Sequence, residues 1–592
     1  MTELHPVRCR ASALFALCCL ALAACSGDSK PAAIAAPADT LAPLDTASSG
    51  SDTATAKDVA APPLDVASGQ DASSLVDVAS SNDAAVAPVD AGQVQDTAVI
   101  EDAGATVDTT GAKDAGSVAD TAAAPLDAGA AQDVAAGPAD TKAAVDAGPA
   151  PVAKEDWVAL FGGNGSEQVK AVVADSKGNV YVAGIYTEAL TIGTKKIQAA
   201  EPGKKTPDSF VASFDSAGAF RWAHGFGAAK ADTAYEIAID GLDNVYVAGS
   251  HHSDLLIGGV QLKNGGSTDI YVVAYDSSGQ QLWAKGWGGQ YGQSPRDLSV
   301  NAAGDIFITG GFNGAITADG ITAKSSSAFG GLSEIFVLAI DGKTHKAMWV
   351  QIFTGAGHDV GTALVGDNIR NTVIAVSFQN DLVINKAKGT VFNSGGLNFD
   401  AGLVRLDDKG NVLWAKMYGG SGSEEIVGLD MDAAGNIYAT GVFSGTASFG
   451  GPNLVGVGGF DTVLAGYNGK GGHLWSVAYT GAATNQPLDL EVAGDGIYIA
   501  GRFKGALKLG GTTLNSHPGK FDILVARFAT ANGKPVWARS VGSASDDQGS
   551  GVGVGNDGVF VGGHVKGAVK FAGATKALAG VGLDGAVFRF QQ

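Results

Sequence analysis

DWVALFGG (residues 156–163) and DGAVFRFQQ (584–592) are fragments of one recurring unit, and the way they complete each other decides the fold. The tryptophan of the first opens a series, Trp157, Trp222, Trp283, Trp349, Trp414, Trp475 and Trp537, with separations of 65, 61, 66, 65, 61 and 62 residues. Such a period belongs to blade-like repeats rather than helical solenoids. Four residues after each tryptophan stands Phe161, Phe226, Trp287, Phe353, Tyr418, Tyr479 or Val541, an even spacing that sets both side chains on one face of a strand. Each copy reads as four strands. In the first, GSEQVKAVVAD or TAYEIAID, and the second, NVYVAG or GNIYATG, a tight turn such as DSKGN (175–179) or DAAGN (432–436) makes the link. A longer segment with a small hairpin signal follows, as in LLIGGVQL. Then come the third strand, DSFVASFD or DIYVVAYD, the turn DSAG or DSSG, and the fourth, RWAHGF or LWAKGW. DGAVFRFQQ matches a third strand and DWVALFGG a fourth. The expected fold is therefore all-β, a seven-bladed β-propeller of four-stranded blades closed by three C-terminal strands plus one N-terminal strand, which leaves no large sheet edge exposed.

The chain ahead of this body has another character. No Phe, Tyr or Trp lies between Phe15 and Trp157, so this stretch cannot pack as the body does. Residues 25–152 read as a disordered Ala/Asp/Pro-rich tether; from residue 26 they carry 20 acidic and four basic residues, so most of the net charge of −21 belongs here. The body is left near −6, without the basic footprint of a nucleic-acid binder. Residues 1–24 read as a secretion signal: Arg8 and Arg10 precede an apolar run too short to span a bilayer. All four cysteines fall within the first 25 residues, so the body (153–592) holds no disulfide and no thiolate metal site. Leu22-Ala23-Ala24-Cys25 resembles the lipobox of bacterial lipoproteins, which implies acylation of Cys25, and Ser26 in the next place implies the outer membrane.

The pattern D-x-x-G-N-[VI]-[YF]-[VI]-[AT]-G, followed by D-x-[FYL]-V-A-x-[FY]-D-x-x-G and W-A-x-x-[FY]-G-G, resembles the SBBP family, the bacterial seven-bladed β-propeller repeat, over about 157–592. Copy four departs from it, with NTVIAVS (371–377) in the second-strand place and NDLVINKAKGTVF after it. The turn-plus-Trp element DDKGNVLWAKM also resembles quinoprotein-like propellers, including lipoproteins that help assemble outer-membrane barrels.

Residues needed once per blade are structural. Asp208, Asp269, Glu334, Asp400, Asp461, Asp522 and Asp584, which precede every third strand, suit backbone capping, and the Trp series suits inter-blade core. Glu167, Asp232, Ser294, Asp359, Glu424, Asn485 and Asp546, where the chain enters each first strand, are expected to ring the mouth of the central channel. Their oxygens would suit calcium or another divalent cation, with ordinary loop hydrogen bonding as the plainer role. Both tight turns of a copy fall on one face and the longer connections on the other, so differences between copies are expected on the loop-rich face. The candidates there are His251, His252, EPGKKTP (201–207), Tyr291, Arg296 and SSSAFGGLS (325–333). No H-E-x-x-H, G-x-S-x-G or phosphate-binding loop is present. The expected function is a monomeric cell-envelope lipoprotein, facing the cell surface or the periplasm. Its non-catalytic propeller binds a protein or glycan, with no cofactor and no nucleic-acid partner. The alternatives are a channel-centred hydrolase or lyase acting on polysaccharide, and a scaffold for outer-membrane protein assembly.

Overall fold

The computed structural model describes residues 155–592 except 326–331, 482, 557 and 577–581. The signal segment with Cys25, the tether and most of SSSAFGGLS lie outside the described residues. Within them the chain forms seven four-stranded antiparallel blades and no helix. The innermost strands are Glu167–Ala174, Asp232–Ile239, Gln293–Val300, Val360–Gly366, Glu424–Met431, Asn485–Ala493 and Gln548–Gly555. They touch their neighbours all the way round, the last meeting the first. Second and third strands are buried almost end to end, whereas the fourth strands form the half-exposed rim. Apolar clusters fill the gaps between blades rather than the blades themselves. Phe161 and Val587 of blade seven, for example, pack with Val169 and Phe210 of blade one. Blade four, irregular in sequence, is regular in structure: Thr372–Phe378 is wholly buried, and NDLVINKAKGTVF forms the hairpin Asp381–Asn385 with Thr390–Asn393.

The repeated motif is turn chemistry. In DSKGN the Asp175 Oδ1 accepts from the backbone N–H of Lys177 and Asn179, Asn179 Nδ2 donates to Oδ2, and the Tyr181 hydroxyl donates to the same oxygen at 2.8 Å. Asp240, Asn244 and Tyr246 repeat the arrangement in blade two, as do Asp432, Asn436 and Tyr438 in blade five. The turn glycine is required by its backbone, with φ of 79° at Gly178 and 81° at Gly435. Asp243 and Arg370 take the same left-handed conformation in blades two and four.

The tryptophans clamp successive blades. Trp349 Nε1 donates to the Asp408 carbonyl in the next blade at 3.0 Å, and its ring lies against the turn glycine Gly410. Trp157, Trp222, Trp414 and Trp475 donate in the same way to Ser216, Ser277, Gly469 and Thr530. Trp283 instead stacks on His345, with ring centroids 4.5 Å apart. Trp537 lies close to Tyr498, under the Arg539 guanidinium.

Blade seven closes the ring. Trp157–Gly163 pairs antiparallel with Asp584–Phe590, from Trp157 opposite Arg589 to Phe161 opposite Gly585. Asp156 sews the two ends together: its carboxylate accepts from the Gln591 N–H at 2.6 Å and pairs with Arg539 at 3.2 Å. Arg589 Nη1 adds a bond to the Glu155 carbonyl.

Candidate functional site

Every innermost strand contains a β-bulge at the same place, with Lys170, Tyr235, Arg296, Thr362, Val427, Leu488 or Ser550 as the extra residue. A bulge breaks simple alternation and re-aims side chains. All seven extra residues line a central cavity of about 490 Å³. Deeper in the channel the strands of some blades carry acids: Glu236, Asp297, Asp430, Asp489 and Glu491. Four of them staple neighbouring blades. Asp297 accepts from Leu298 N and, across the gap, from Leu364 N at 2.6 Å; Asp430 does the same with Met431 and Val492, and Asp489 with Leu490 and Val552. Glu491 reaches Val554 N at 2.9 Å. Burial pushes Asp297 and Asp489 up to about 7 and Asp430 to about 6 against the lowering effect of these bonds. It drives Glu236 and Glu491 well above the usual carboxylate range, with neighbouring carboxylates adding to the effect. Glu425 rises to about 7 through burial, opposed by the nearby charge of Arg296. Sequence reading missed these acids. The available signal was that inward positions differ between copies, as in TAYEIAID against GSEQVKAVVAD, but the bulge shifts the inside-outside register in mid-strand.

The expected ring of mouth residues is corrected in two respects. Its members in blades three and seven are Gln293 and Asp547, not Ser294 and Asp546. In these blades, as in the others, the ring residue's N–H bonds the carbonyl just before the preceding blade's third strand: Gln293 to Thr268 and Asp547 to Phe521. Ser294 is instead half-buried, and Asp546 is exposed, bonded by Phe521 N. The second correction concerns place. Glu167, Asp232, Gln293, Asp359, Glu424, Asn485 and Asp547 are all buried at the blade junctions rather than open on a mouth. There all but Gln293 meet the acid that begins the preceding blade's third strand. Five junctions therefore bring two carboxyls together, while Asn485 with Asp461 pairs an amide with a carboxyl and Gln293 gives its amide N–H to the Ala315 carbonyl. Asn485 Nδ2 points to Asp461 Oδ1 at 3.5 Å. The glycine doublets make room for these acids: a Cβ on Gly162 would fall 2.6 Å from Asp584 Oδ1, and on Gly419 2.5 Å from Asp400. Desolvation pushes Asp232 and Glu424 to about 8, Glu167 and Asp359 to about 7, and Asp208 and Asp400 to about 6. The two groups act on each other: Asp400 adds to the rise at Glu424, while Glu424 opposes the rise at Asp400. Among the described residues no group of three or more His, Cys, Asp or Glu is placed to hold a metal ion.

The loop-face candidates separate. Tyr291 is exposed and covers Gly314. His252 is half-buried, with Nδ1 2.7 Å from the Ala231 carbonyl. His251 does not belong to the exposed face: it ends the buried second strand of blade two, opposite Asp269 and Asp232, with Nδ1 on the Ser253 carbonyl. Arg296 is likewise not a loop residue but the channel-lining bulge of blade three.

No protein-family model matches the chain. An uncharacterized WD repeat-containing protein of Acanthamoeba polyphaga mimivirus is 21% identical over 426 residues, 59% of this chain; the chain spans 30% of that relative's length. Among solved structures, the Neurospora crassa Pan2 WD40 domain is 10% identical, with 75% of this chain and 99% of that one covered and a TM-score of 0.38. The Dos1 propeller is 7% identical, with 73% and 95% covered and a TM-score of 0.37. A europium-containing methanol dehydrogenase is 14% identical, with 74% and 93% covered and a TM-score of 0.32. At such identities the likeness is one of fold alone.

Proposed function

We propose that the chain is an SBBP-like cell-envelope lipoprotein, anchored through Cys25 in the outer membrane or at the cell surface, whose non-catalytic propeller binds a protein or glycan through its loop-rich face. The observation that carries this reading is an apolar arc on that face. Leu397, just before the third strand of blade four, is 78% exposed, and Val455 and Val457, in the matching stretch of blade five, are 63% and 71% exposed. Apolar side chains gathered at matching places of adjacent blades are a mark of an interaction surface. The rigid ring displays these stretches on the face opposite the tight turns. The backbone bonds to Asp297, Asp430 and Asp489 support binding over the hydrolase or lyase alternative, because both oxygens of each acid are already engaged in holding blades together.

The test uses the full chain. Leu397→Ser with Val457→Ser should abolish capture of a partner that the parent chain holds both from envelope extract and as purified protein or arrayed glycan. Capture that is unchanged by the pair of substitutions would refute the arc. Cys25→Ser should move the protein from the membrane to the soluble fraction; persistence at the membrane would refute the anchor.

A further inference from the structure

The blades differ most where the innermost strands begin, on the loop-rich side, and there the differences are grouped. Blades six, seven and one, which are neighbours, each place a glutamine two residues before the bulge: Gln486, Gln548 and Gln168. The other blades have Thr233, Ser294, Val360 and Glu425 in that position. Opposite Gln486 on the second strand stands Arg502, opposite Gln548 stands His564, and the bulge of blade one supplies Lys170. Amides hold the two cations in place. Lys170 Nζ donates to Gln168 Oε1 and Arg502 Nε to Gln486 Oε1, both at 2.8 Å, while the Arg502 guanidinium lies 4.5 Å over the Phe521 ring. His564 Nδ1 is buried with no hydrogen-bond partner, and burial with the charges of Lys170 and Arg502 pushes the imidazole down to about 3. At neutral pH the arc thus presents two fixed cations and a set of amides, beside a buried neutral imidazole. In the blades beyond the arc the charge of Arg296 acts on Glu425, while on the arc itself Asp546 is near enough to act on Arg502.

We infer that this arc is a binding site for a small polyhydroxylated carboxylate, a sugar acid, at the mouth of the channel. The inference rests on the reading of the loop-rich face as the binding face and names a ligand class for it. Guanidinium and ammonium groups take the carboxylate by charge-assisted bonds. Glutamine amides and the hydroxyls of Ser550 and Tyr235 take hydroxyls, each group both donating and accepting. The cavity behind them, about 490 Å³, is of the size that holds small ligands. The fixed cations Lys170 and Arg502 stand on the loop-rich side, which keeps the charged end of the ligand at the mouth.

Calorimetry on the full chain with glucuronate, glucose and inorganic phosphate tests this. One equivalent of glucuronate should bind, glucose should bind far more weakly, and phosphate should not compete at equal concentration. Lys170→Gln and Arg502→Gln should each weaken glucuronate by about tenfold to a hundredfold, the worth of one charge-assisted bond, whereas Lys508→Gln, on an exposed outer hairpin, should leave it unchanged. Circular dichroism melts of the variants exclude misfolding; if Arg502→Gln unfolds, Lys170→Gln decides. Three results would overturn the inference: no heat with glucuronate, phosphate binding as well as glucuronate, or the same loss in Lys508→Gln. A failure here while Leu397→Ser with Val457→Ser still abolishes partner capture would remove only the sugar-acid site, whereas loss of the arc effect alone would remove only the partner reading.

Discussion

Gly410 and Gly435 share a conformation, with φ of 80° and 81°, but not a neighbourhood. A Cβ on Gly435 would meet nothing within 4 Å, whereas one on Gly410 would fall 2.9 Å from the Trp349 ring. Gly435→Ala should therefore cost only the left-handed penalty, about 1 kcal/mol. Gly410→Ala should cost that and the displacement of the clamp, about 2–4 kcal/mol in all. Chemical denaturation of the two variants checks the difference, and equal losses would show that the tryptophan clamp contributes little. At this scale the sequence was readable, because Asp, Gly, Asn and Tyr in D-x-x-G-N-x-Y each have one task in the turn. What spacing alone did not reveal was that the Gly of the next turn belongs to the preceding blade's tryptophan, a relation across more than fifty residues.

Between strands, proton linkage follows from the junction acids. Burial raises Asp232 and Glu424 to about 8, Glu167 and Asp359 to about 7, and Asp208 and Asp400 to about 6. The folded chain holds protons there that the unfolded chain releases above about pH 4–5. Stability from these groups is full below that range and is lost as pH rises through 6 to 8. His564 works the other way: kept neutral by burial, it weakens the fold as pH falls below 6.5, its ordinary value. Thermal melts should thus show greatest stability on the acid side of neutrality. Glu424→Gln copies the amide that Gln293 and Asn485 already supply, so it should keep the neutral-pH melting temperature and flatten the decline toward pH 9. Glu424→Ala should lose about 1–3 kcal/mol. A decline just as steep in Glu424→Gln would sink the linkage. The junction series was legible as recurring polar positions, yet two members were misplaced by one residue. Ser294 and Asp546 sit beside the true positions, Gln293 and Asp547, and local sequence offers a polar residue at both. Only the backbone bonds to the preceding blade tell them apart.

For the molecule as a whole, blade seven makes the ring depend on segments far apart in sequence. Asp584–Phe590 is buried at all seven positions, and its removal would leave Gly558–Val565 and Trp157–Gly163 without their shared partner. Deleting 584–592 should replace a single cooperative melt with an early, broad one, observable by circular dichroism; an unchanged melt would contradict the closure. The number of blades and the way they close were legible because strand types could be counted and matched at both ends. The identities of Lys170, Arg502 and His564 as neighbours were not, since 394 positions separate the first from the last and only the closed circle brings them together.

Because Asp156 and Gln591 are already in hydrogen-bond contact, a few residues of turn would join them and turn the body into an endless loop. Such a loop could be cut at any other tight turn, giving circular permutants that share one set of contacts and differ in the order of synthesis. Their refolding rates would report which seam between neighbouring blades is slowest to form, a property that the native order of the chain conceals.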